Sequence, residues 1–336
     1  MGKYEIFSTV SFDLAPKEVF INHKINAIAN TNYWDGNLST IQKDISKNIS
    51  LIDFLVCTPF DDINTEIIEK GKENLKGIKC TGIGYNNIDI QTAKKYQIPV
   101  FNTPGEIHKN VADHTFALLL AVSKNIMKGH KFVMDGKWNT PMSAGNYLNH
   151  PDSMLGFDIY ETNLLIVGLG NIGIEVCKRA LGFNMNVFYY SRTRKPEIEK
   201  ELGITYVNNF DQALATADFI TICAPLTEET SNMFGPKEFD LMKESAVLVN
   251  TARGGIVDTE SLYNALKNKN IAGAGVDVIN PEPFSVDHPI LHLENFIIHP
   301  HVGGHSVAMR MRAVTKYLDS IYQFLTTGEL VNCVNM

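Results

Sequence analysis

Three polar side chains that follow apolar segments could together reduce a carbonyl group. Arg253 lies in Asn250-Thr-Ala-Arg-Gly-Gly255, Glu282 stands between two prolines, and His301 lies in Pro300-His-Val-Gly-Gly304. A guanidinium can bind a carboxylate through two hydrogen bonds and polarise the adjacent carbonyl. A histidine is the natural proton donor near neutral pH, and a nearby carboxylate keeps its imidazole protonated. Together they supply what reduction of a 2-oxo acid needs, with a nicotinamide carrying the hydride.

Each of these residues also has a simpler interpretation. Arg253 could be a surface cation, Glu282 an acid in a turn and His301 a loop histidine. His299, His301 and His305 could instead bind a metal. If the preceding strand continued, His299 and His301 would point in opposite directions, and no acidic or cysteine residue clusters with them in the sequence. We therefore expect no metal site.

Strands must position the three residues. Regular alternation of apolar runs and helical segments from 162 to 300 predicts a parallel, doubly wound sheet. The carboxyl ends of such strands converge at one crevice, where ligands bind. The predicted strands after the first one are Asn186–Tyr190, Phe219–Cys223, Ala246–Asn250, Gly273–Asp277 and Phe296–His299.

The first strand of this sheet carries a dinucleotide-binding signature. Leu164 to Val167 is a continuous apolar run, and a helix ending at Gly182 follows the glycines. Gly168 permits a tight turn, Gly170 lets the backbone approach a pyrophosphate, and Gly173 allows close packing of helix and strand. The helix N-terminus favours the anion.

The end of the second strand predicts which dinucleotide binds. An acid at this point would bind the ribose 2′-hydroxyl of NAD, but the sequence has Ser191-Arg-Thr-Arg-Lys195. Arg192 and Arg194 could hold a 2′-phosphate, and Ser191 and Thr193 could donate hydroxyl hydrogen bonds. We therefore expect NADP(H) to be preferred, with NAD(H) possible. An ordinary solvated basic turn is the alternative.

The first hundred residues also alternate strands and helices. Phe54–Cys57 and Ile78–Thr81 are predicted buried strands, and the loops that follow them are candidate substrate contacts. A break at Thr103-Pro-Gly105 indicates a domain crossing. One long helix is expected near 110–130; its neighbours Asp113 and His114 point apart and form no dyad. Residues 306–327 look helical.

Composition excludes several classes of protein. The 336 residues allow two domains, are 44% apolar and carry a net charge of −7, which disfavours a general nucleic-acid role. No apolar run is long enough to span a membrane, and the N-terminus lacks the apolar region of a signal peptide. The five cysteines form no C-x-x-C and are typical of reduced core residues, so we expect a cytoplasmic protein.

The sequence resembles the D-isomer-specific 2-hydroxyacid dehydrogenases over nearly its whole length. Besides the segments around Arg253, Glu282 and His301, five motifs carry the resemblance. They are Gly84-Tyr-Asn-Asn-Ile-Asp89, Asn102-Thr-Pro-Gly105, Val167-Gly-Leu-Gly-Asn-Ile-Gly173, Ala224-Pro-Leu-Thr-Glu-Glu-Thr230 and Gly275-Val-Asp-Val278.

The resemblance implies an α/β fold of two doubly wound parallel-sheet domains. The larger, 104–305, would be a Rossmann dinucleotide-binding domain, and the smaller, 1–103 plus 306–336, a flavodoxin-like substrate domain. It also implies a homodimer joined through the dinucleotide-binding domains, with the irregular stretch 131–160 as the contact. Closure of the substrate domain would exclude water from the reacting atoms.

The resemblance also implies roles for individual residues. Arg253 would anchor the substrate, Glu282 would pair with His301, and His301 would donate the proton. The predicted substrate-binding residues are Thr58, Ile83, Gly84, Arg253 and His301. Asp277 would bind the nicotinamide carboxamide. The predicted cofactor-binding residues are Gly168, Gly170, Asn171, Ile172, Gly173, Ser191, Arg192, Thr193, Arg194, Ala224, Pro225, Thr251, Ala252, Asp277 and Gly303.

The substrate is predicted to be a small unphosphorylated 2-oxo acid such as glyoxylate or hydroxypyruvate. The Cys57-Thr-Pro-Phe60 loop contains no Arg or Lys, the cations that would bind the phosphate group of a phosphorylated substrate. A bulkier aliphatic or aromatic 2-oxo acid is an alternative. A different class, a corepressor-like scaffold that senses dinucleotides, is disfavoured by the acidic composition and by the short N-terminus and absent C-terminal tail.

Overall fold

A computed structural model describes residues 4–12, 17–29, 38–82, 84–103, 107–138 and 155–336. The chain divides into two compact units. Unit 1 comprises Met1–Ile107 and His305–Met336, and unit 2 comprises His108–Gly304. Among the described helices, none has both the length and the apolar character needed to cross a membrane.

Unit 1 is built on a parallel sheet of five strands in the order β2-β1-β3-β4-β5. The strands are β1 (Tyr4–Ser8), β2 (Ile25–Ala29), β3 (Phe54–Cys57), β4 (Gly77–Cys80) and β5 (Val100–Phe101). The helices are α1 (Lys17–His23), α2 (Leu38–Asn48), α3 (Thr65–Gly71), α4 (Ile90–Lys95) and α12 (Val307–Thr327). Strands β3 and β4 are buried throughout, because helices cover the sheet and apolar clusters fill the space between them.

Unit 2 is built on a parallel sheet of seven strands in the order β12-β11-β10-β9-β6-β7-β8. The strands are β6 (Asn163–Val167), β7 (Asn186–Tyr190), β8 (Thr205–Tyr206), β9 (Phe219–Ile222), β10 (Val247–Asn250), β11 (Gly273–Val276) and β12 (Phe296–Ile298). The order reverses between β6 and β9, so their carboxyl ends open the crevice that binds ligands in such sheets.

Helices cover both faces of this second sheet. They are α5 (His108–Ser123), α6 (Ile126–Met134), α7 (Asn171–Gly182), α8 (Pro196–Leu202), α9 (Phe210–Thr216), α10 (Pro236–Leu241) and α11 (Thr259–Lys267). Two apolar clusters, one on each face, form the core. The prediction of two doubly wound parallel-sheet domains, the larger of Rossmann type, is confirmed.

The long helix expected near 110–130 is present as α5, but it ends at Ser123 and not near 130. The chain breaks between α5 and α6 at Asn125, whose φ of 51° is left-handed and cannot continue a helix. Asn125 tolerates this conformation better than most residues, and its side-chain amide donates to the Leu155 carbonyl. The predicted contact at 131–160 falls largely outside the described residues.

Candidate active site

The glycine loop after β6 has the close contacts that its sequence predicted. Gly168 has a φ of 97°, and a Cβ there would lie 2.7 Å from the Ala224 nitrogen across the switch point. A Cβ on Gly173 would overlap the Gly168 carbonyl oxygen. Gly170 differs, because a Cβ there would meet no atom within 4 Å. The loop is therefore tight where backbone segments cross and open where a pyrophosphate would approach the N-terminus of α7.

Asn171 and Ile172 are the first two residues of that helix. Ile174 donates its N–H to the Gly170 carbonyl at 2.9 Å, so the earlier N–H groups have no acceptor within the helix. Such N–H groups, with the helix dipole behind them, bind anions. The donor set fits a dinucleotide pyrophosphate.

The turn after β7 contains two arginines with different environments. The Arg194 guanidinium donates to both oxygens of the Glu199 carboxylate, at 3.0 and 2.8 Å, and lies over the Tyr206 ring. This guanidinium lowers the pKa of Glu199. The Arg192 side chain is 76% exposed and lies 3.8 Å from Glu229, which is also exposed. Arg192 is therefore the better placed of the two to bind a phosphate.

The remaining residues of that turn are held locally. Ser191 donates its hydroxyl hydrogen to the Thr193 carbonyl at 2.7 Å. This hydrogen bond shapes the turn, while the Ser191 oxygen can still accept. The two residues thus fix the backbone beside Arg192.

Other predicted cofactor residues follow the central strands. Ala224 and Pro225 come directly after β9, and Thr251 and Ala252 come directly after β10. Thr251 is buried, and its hydroxyl lies 2.8 Å from that of Thr115 on α5. The structure therefore places all four beside the glycine loop's crevice, at the carboxyl edge of the sheet.

The loop carrying Arg253 is packed against the loop that carries Glu282. A Cβ on Gly254 would overlap the backbone of Ile279, so the two loops approach more closely than any other residue would allow. Arg253 itself is exposed, and its Nη1 donates to the Ala252 carbonyl at 2.7 Å. The guanidinium has further N–H groups for an anion.

Glu282 and His301 form the central hydrogen-bonded pair of the site. The His301 Nδ1 lies 2.7 Å from Oε2 of Glu282, and the other carboxylate oxygen accepts the Ile279 N–H at 3.2 Å. The side chains of His301 and Glu282 are 31% and 28% exposed. A carboxylate on Nδ1 fixes the orientation of the ring and leaves Nε2 to face a substrate. This pair is the arrangement a proton donor needs.

Asp277 holds the backbone turn that carries His301. Its carbonyl oxygen accepts the His301 N–H at 2.8 Å, and its carboxylate accepts the N–H groups of Val302 at 3.1 Å and Gly303 at 2.9 Å. His301 has a left-handed φ of 55°, which is unfavourable for a non-glycine residue. Three consecutive N–H groups bound to one residue offset this strain.

The Asp277 carboxylate is almost completely buried, with only 4% exposed. Burial raises the pKa of this carboxyl group, but His114, the Gly303 N–H and His299 together outweigh it, so the pKa is lowered overall. A Cβ on Gly303 would come within 2.8 Å of this carboxylate and would overlap the His114 ring. Glycine is therefore required at 303.

The structure places another histidine, which the sequence did not predict, next to Asp277. His114 lies on α5 with Nε2 3.4 Å from the Asp277 carboxylate, while Asp113 turns away to pair with Arg179. Asp113 and His114 thus point apart, as expected. However, the expectation that no acid clusters with the histidines is wrong, because His299 lies 3.1 Å from Asp277. Only a contact between distant segments could have shown this.

Unit 1 contains the other predicted substrate residues. Thr58, directly after β3, is buried, and its N–H and hydroxyl donate to the Asp61 carboxylate at 2.6 and 2.9 Å. Gly84 follows β4, and its carbonyl accepts the Cys80 thiol hydrogen at 3.2 Å. Ile83 lies outside the described residues. The two loops therefore begin at the carboxyl ends of neighbouring strands, as predicted.

Two buried charged groups lie near these loops. Burial raises the pKa of the Asp61 carboxyl, although hydrogen bonds from Thr9 and Thr58 act in the opposite direction. Lys79 on β4 is only 2% exposed and donates to the Asn102 carbonyl at 2.8 Å. Burial lowers the pKa of this lysine to about 8. Asp61, directly behind Thr58, makes that loop unfavourable for an anionic phosphate.

Known proteins match this chain in sequence and in fold. The family model "D-isomer specific 2-hydroxyacid dehydrogenase, NAD binding domain" matches residues 116–303. The glyoxylate reductase of Korarchaeum cryptofilum is 39% identical over 303 residues, which are 90% of this chain and 88% of that protein. The glyoxylate reductase of Thermococcus litoralis is 44% identical over 253 residues, 75% of this chain and 74% of that protein.

A solved structure gives the same result for the fold. The crystal structure of the TT0316 protein from Thermus thermophilus covers 98% of this chain and 99% of its own, with a TM-score of 0.85 and 31% identity. The predicted family is therefore confirmed. The chain belongs to the D-isomer specific 2-hydroxyacid dehydrogenase family and is an oxidoreductase of 2-hydroxy acids that uses a nicotinamide dinucleotide.

Proposed function

We propose that this chain reduces glyoxylate, or a 2-oxo acid of similar size such as hydroxypyruvate, with NADPH as the preferred cofactor. The observation that carries the proposal is the 2.7 Å pair of His301 and Glu282, with the Glu282 loop packed against the one that bears Arg253. The two glyoxylate reductases described above support the choice of substrate.

Each of the three side chains has one task in this reaction. Arg253 binds the carboxylate of the substrate and polarises its 2-oxo group. His301 uses Nδ1 for Glu282, so it delivers its proton from Nε2 to the carbonyl oxygen. Glu282 orients the imidazole through its hydrogen bond to Nδ1 during that transfer. The bound nicotinamide supplies the hydride.

The preference for NADPH rests on the turn after β7. No carboxylate follows that strand between Tyr190 and Lys195, where NAD-binding folds place an acid for the ribose 2′-hydroxyl. The exposed Arg192 guanidinium can bind a 2′-phosphate instead, and Arg194 reinforces the positive potential while paired with Glu199. NADH is the weaker cofactor in this proposal.

Thr58 and Gly84, which follow neighbouring strands of unit 1, remain predicted substrate-binding residues. The lack of Arg and Lys in the Cys57–Phe60 loop and the nearby Asp61 both favour an unphosphorylated acid. We also infer a homodimer joined through unit 2. Large apolar side chains exposed on and after α6 support it: Ile126, Met127, Val133, Met134 and Trp138.

A steady-state matrix tests the proposal. NADH and NADPH are each combined with glyoxylate, hydroxypyruvate, pyruvate, a branched 2-oxo acid and phosphohydroxypyruvate. The expected result is the highest kcat/KM with NADPH and one of the first two acids. Highest turnover with the branched acid would favour the bulkier class of substrate. Cofactor binding without oxidation by any acid would favour a dinucleotide-sensing scaffold.

A further inference from the structure

Two histidines and one aspartate of unit 2 direct potential metal ligands at a common point. His114 comes from the middle of α5, Asp277 follows β11, and His299 follows β12. One ligand atom from each lies within 4.8 Å of the other two. Two imidazole nitrogens and a carboxylate oxygen form a ligand set that binds Zn²⁺ in proteins and leaves a fourth position for water.

The spacing of these atoms is close to that of ligands on one ion, although His299 and the Val302 N–H also hydrogen-bond to this oxygen of Asp277. Nδ1 of His299 and Nε2 of His114 lie 3.1 and 3.4 Å from the same oxygen of Asp277. Two ligands of a tetrahedral zinc ion, each about 2.0–2.1 Å from the metal, are roughly 3.3 Å apart. Yet the His114 nitrogen is buried and has no hydrogen bond of acceptable geometry in the part of the chain that the structure describes. Its distance to Asp277 therefore suits a shared ion better than a shared proton.

The surroundings meet the other requirements for a metal site. The Gly303 N–H donates to the second oxygen of Asp277 at 2.9 Å and fixes the orientation of the carboxylate. The ligands stand on a helix and on the ends of two neighbouring strands of one sheet, so the set is preorganised. The His299 side chain is 43% exposed and gives an ion a route from solvent.

We propose that His114, Asp277 and His299 bind a divalent ion of the zinc class, and that this ion competes with the nicotinamide end of the cofactor. The competition rests on the proposed function, in which Asp277 binds the carboxamide. An ion on the Asp277 carboxylate would occupy the same oxygen atoms. Free Zn²⁺ would then be a reversible inhibitor of this enzyme.

Isothermal titration calorimetry of the full chain with Zn²⁺ tests the site without measuring activity. One equivalent should bind to the wild-type protein, and Co²⁺ in its place should give the intense visible absorption of a tetrahedral ion. His299→Gln and His114→Gln should each weaken binding by at least about tenfold, since each removes a ligand. His292→Gln, an exposed residue in the turn before β12, is the control and should leave binding unchanged.

His299→Gln is the safer variant for folding, because this side chain is partly exposed and glutamine can still bond to Asp277. No saturable binding by the wild type would overturn the proposal. Undiminished binding in both His299→Gln and His114→Gln would also overturn it, because the ion would then lie elsewhere.

Cofactor titrations in the presence of Zn²⁺ test the competition separately. The apparent Kd of NADPH, measured by its fluorescence, should rise with Zn²⁺ for the wild type and stay constant for His299→Gln. Zinc binding with no effect on NADPH would overturn the competition. Failure of every 2-oxo acid in the activity matrix would refute the proposed function instead, and it would leave the calorimetric result untouched.

Discussion

Replacement of Arg192 by alanine should weaken the binding of NADPH and so reduce the preference of the enzyme for NADPH over NADH. The Arg192 side chain is 76% exposed, and its 3.8 Å contact with the exposed Glu229 is a weak ion pair. Arg194, by contrast, donates hydrogen bonds to both carboxylate oxygens of Glu199. Of these two arginines, Arg192 alone can turn fully towards a phosphate without losing a strong partner.

The size of the effect follows from the bonds that are lost. A hydrogen bond to a charged group contributes about 1.5–3 kcal/mol, which corresponds to roughly 10–150-fold in Kd. Solvent screens an exposed arginine, so we expect the lower end of this range, about tenfold, for NADPH. NADH lacks the 2′-phosphate, and its Kd should change by less than about twofold.

Fluorescence titration of the wild type, Arg192→Ala and Arg194→Ala with each dinucleotide measures the effect directly. Arg194→Ala is the matched control, and it should weaken NADPH less than Arg192→Ala does. Equal losses of NADPH and NADH affinity in Arg192→Ala would refute the 2′-phosphate argument. A larger loss in Arg194→Ala would show that Arg194, and not Arg192, is the main phosphate ligand.

Three further changes test other parts of the account. Glu282→Gln should lower kcat at least about tenfold with an unchanged Kd for NADPH, because the amide cannot stabilise the imidazolium. An unchanged kcat would contradict the proposed role of Glu282 as the partner of His301. Gly168→Ala should lower the free energy of unfolding in urea by at least about 1–2 kcal/mol, because its φ is 97° and the new Cβ would meet the Ala224 backbone. The control Gly182→Ala should leave the free energy of unfolding nearly unchanged, because a Cβ there would meet no atom within 4 Å. The pKa of Lys79 is about 8 in the folded protein, below its usual 10.5. Between these pH values the unfolded chain binds more protons than the folded one, so the free energy of unfolding should rise by up to ~3 kcal/mol as the pH increases. Lys79→Met should lack that slope, and a slope in both proteins would remove Lys79 as its cause.

Much of unit 2 could be predicted because its signals are local. A buried parallel strand is an apolar run, so β6, β7, β9 and β10 were predictable to within a residue or two. Arg253, Glu282 and His301 follow strands of one sheet. Because the carboxyl ends of parallel strands lie at one edge, the sequence predicted that these residues lie at that edge. The structure adds the contact of Glu282 with His301.

Features that depend on distant segments were not predictable. His114 meets Asp277 only because α5 packs against the end of β11, and neither sequence neighbourhood indicates this. The break at Asn125 depends on a hydrogen bond to Leu155 that no helical periodicity reveals. The different roles of Arg192 and Arg194 likewise follow from Glu199, which lies in α8. A residue's type can thus predict its chemistry, but its availability depends on its partners.

The central claim is that His301 donates the proton, and single-turnover kinetics test it most directly. Enzyme saturated with NADPH is mixed with glyoxylate, and NADPH oxidation is followed for the wild type, His301→Asn and the surface control His292→Gln. We expect His301→Asn to react about 10²–10⁴-fold more slowly while binding NADPH as the wild type does, and His292→Gln to match the wild type. A rate for His301→Asn within a few-fold of the wild type would contradict the account.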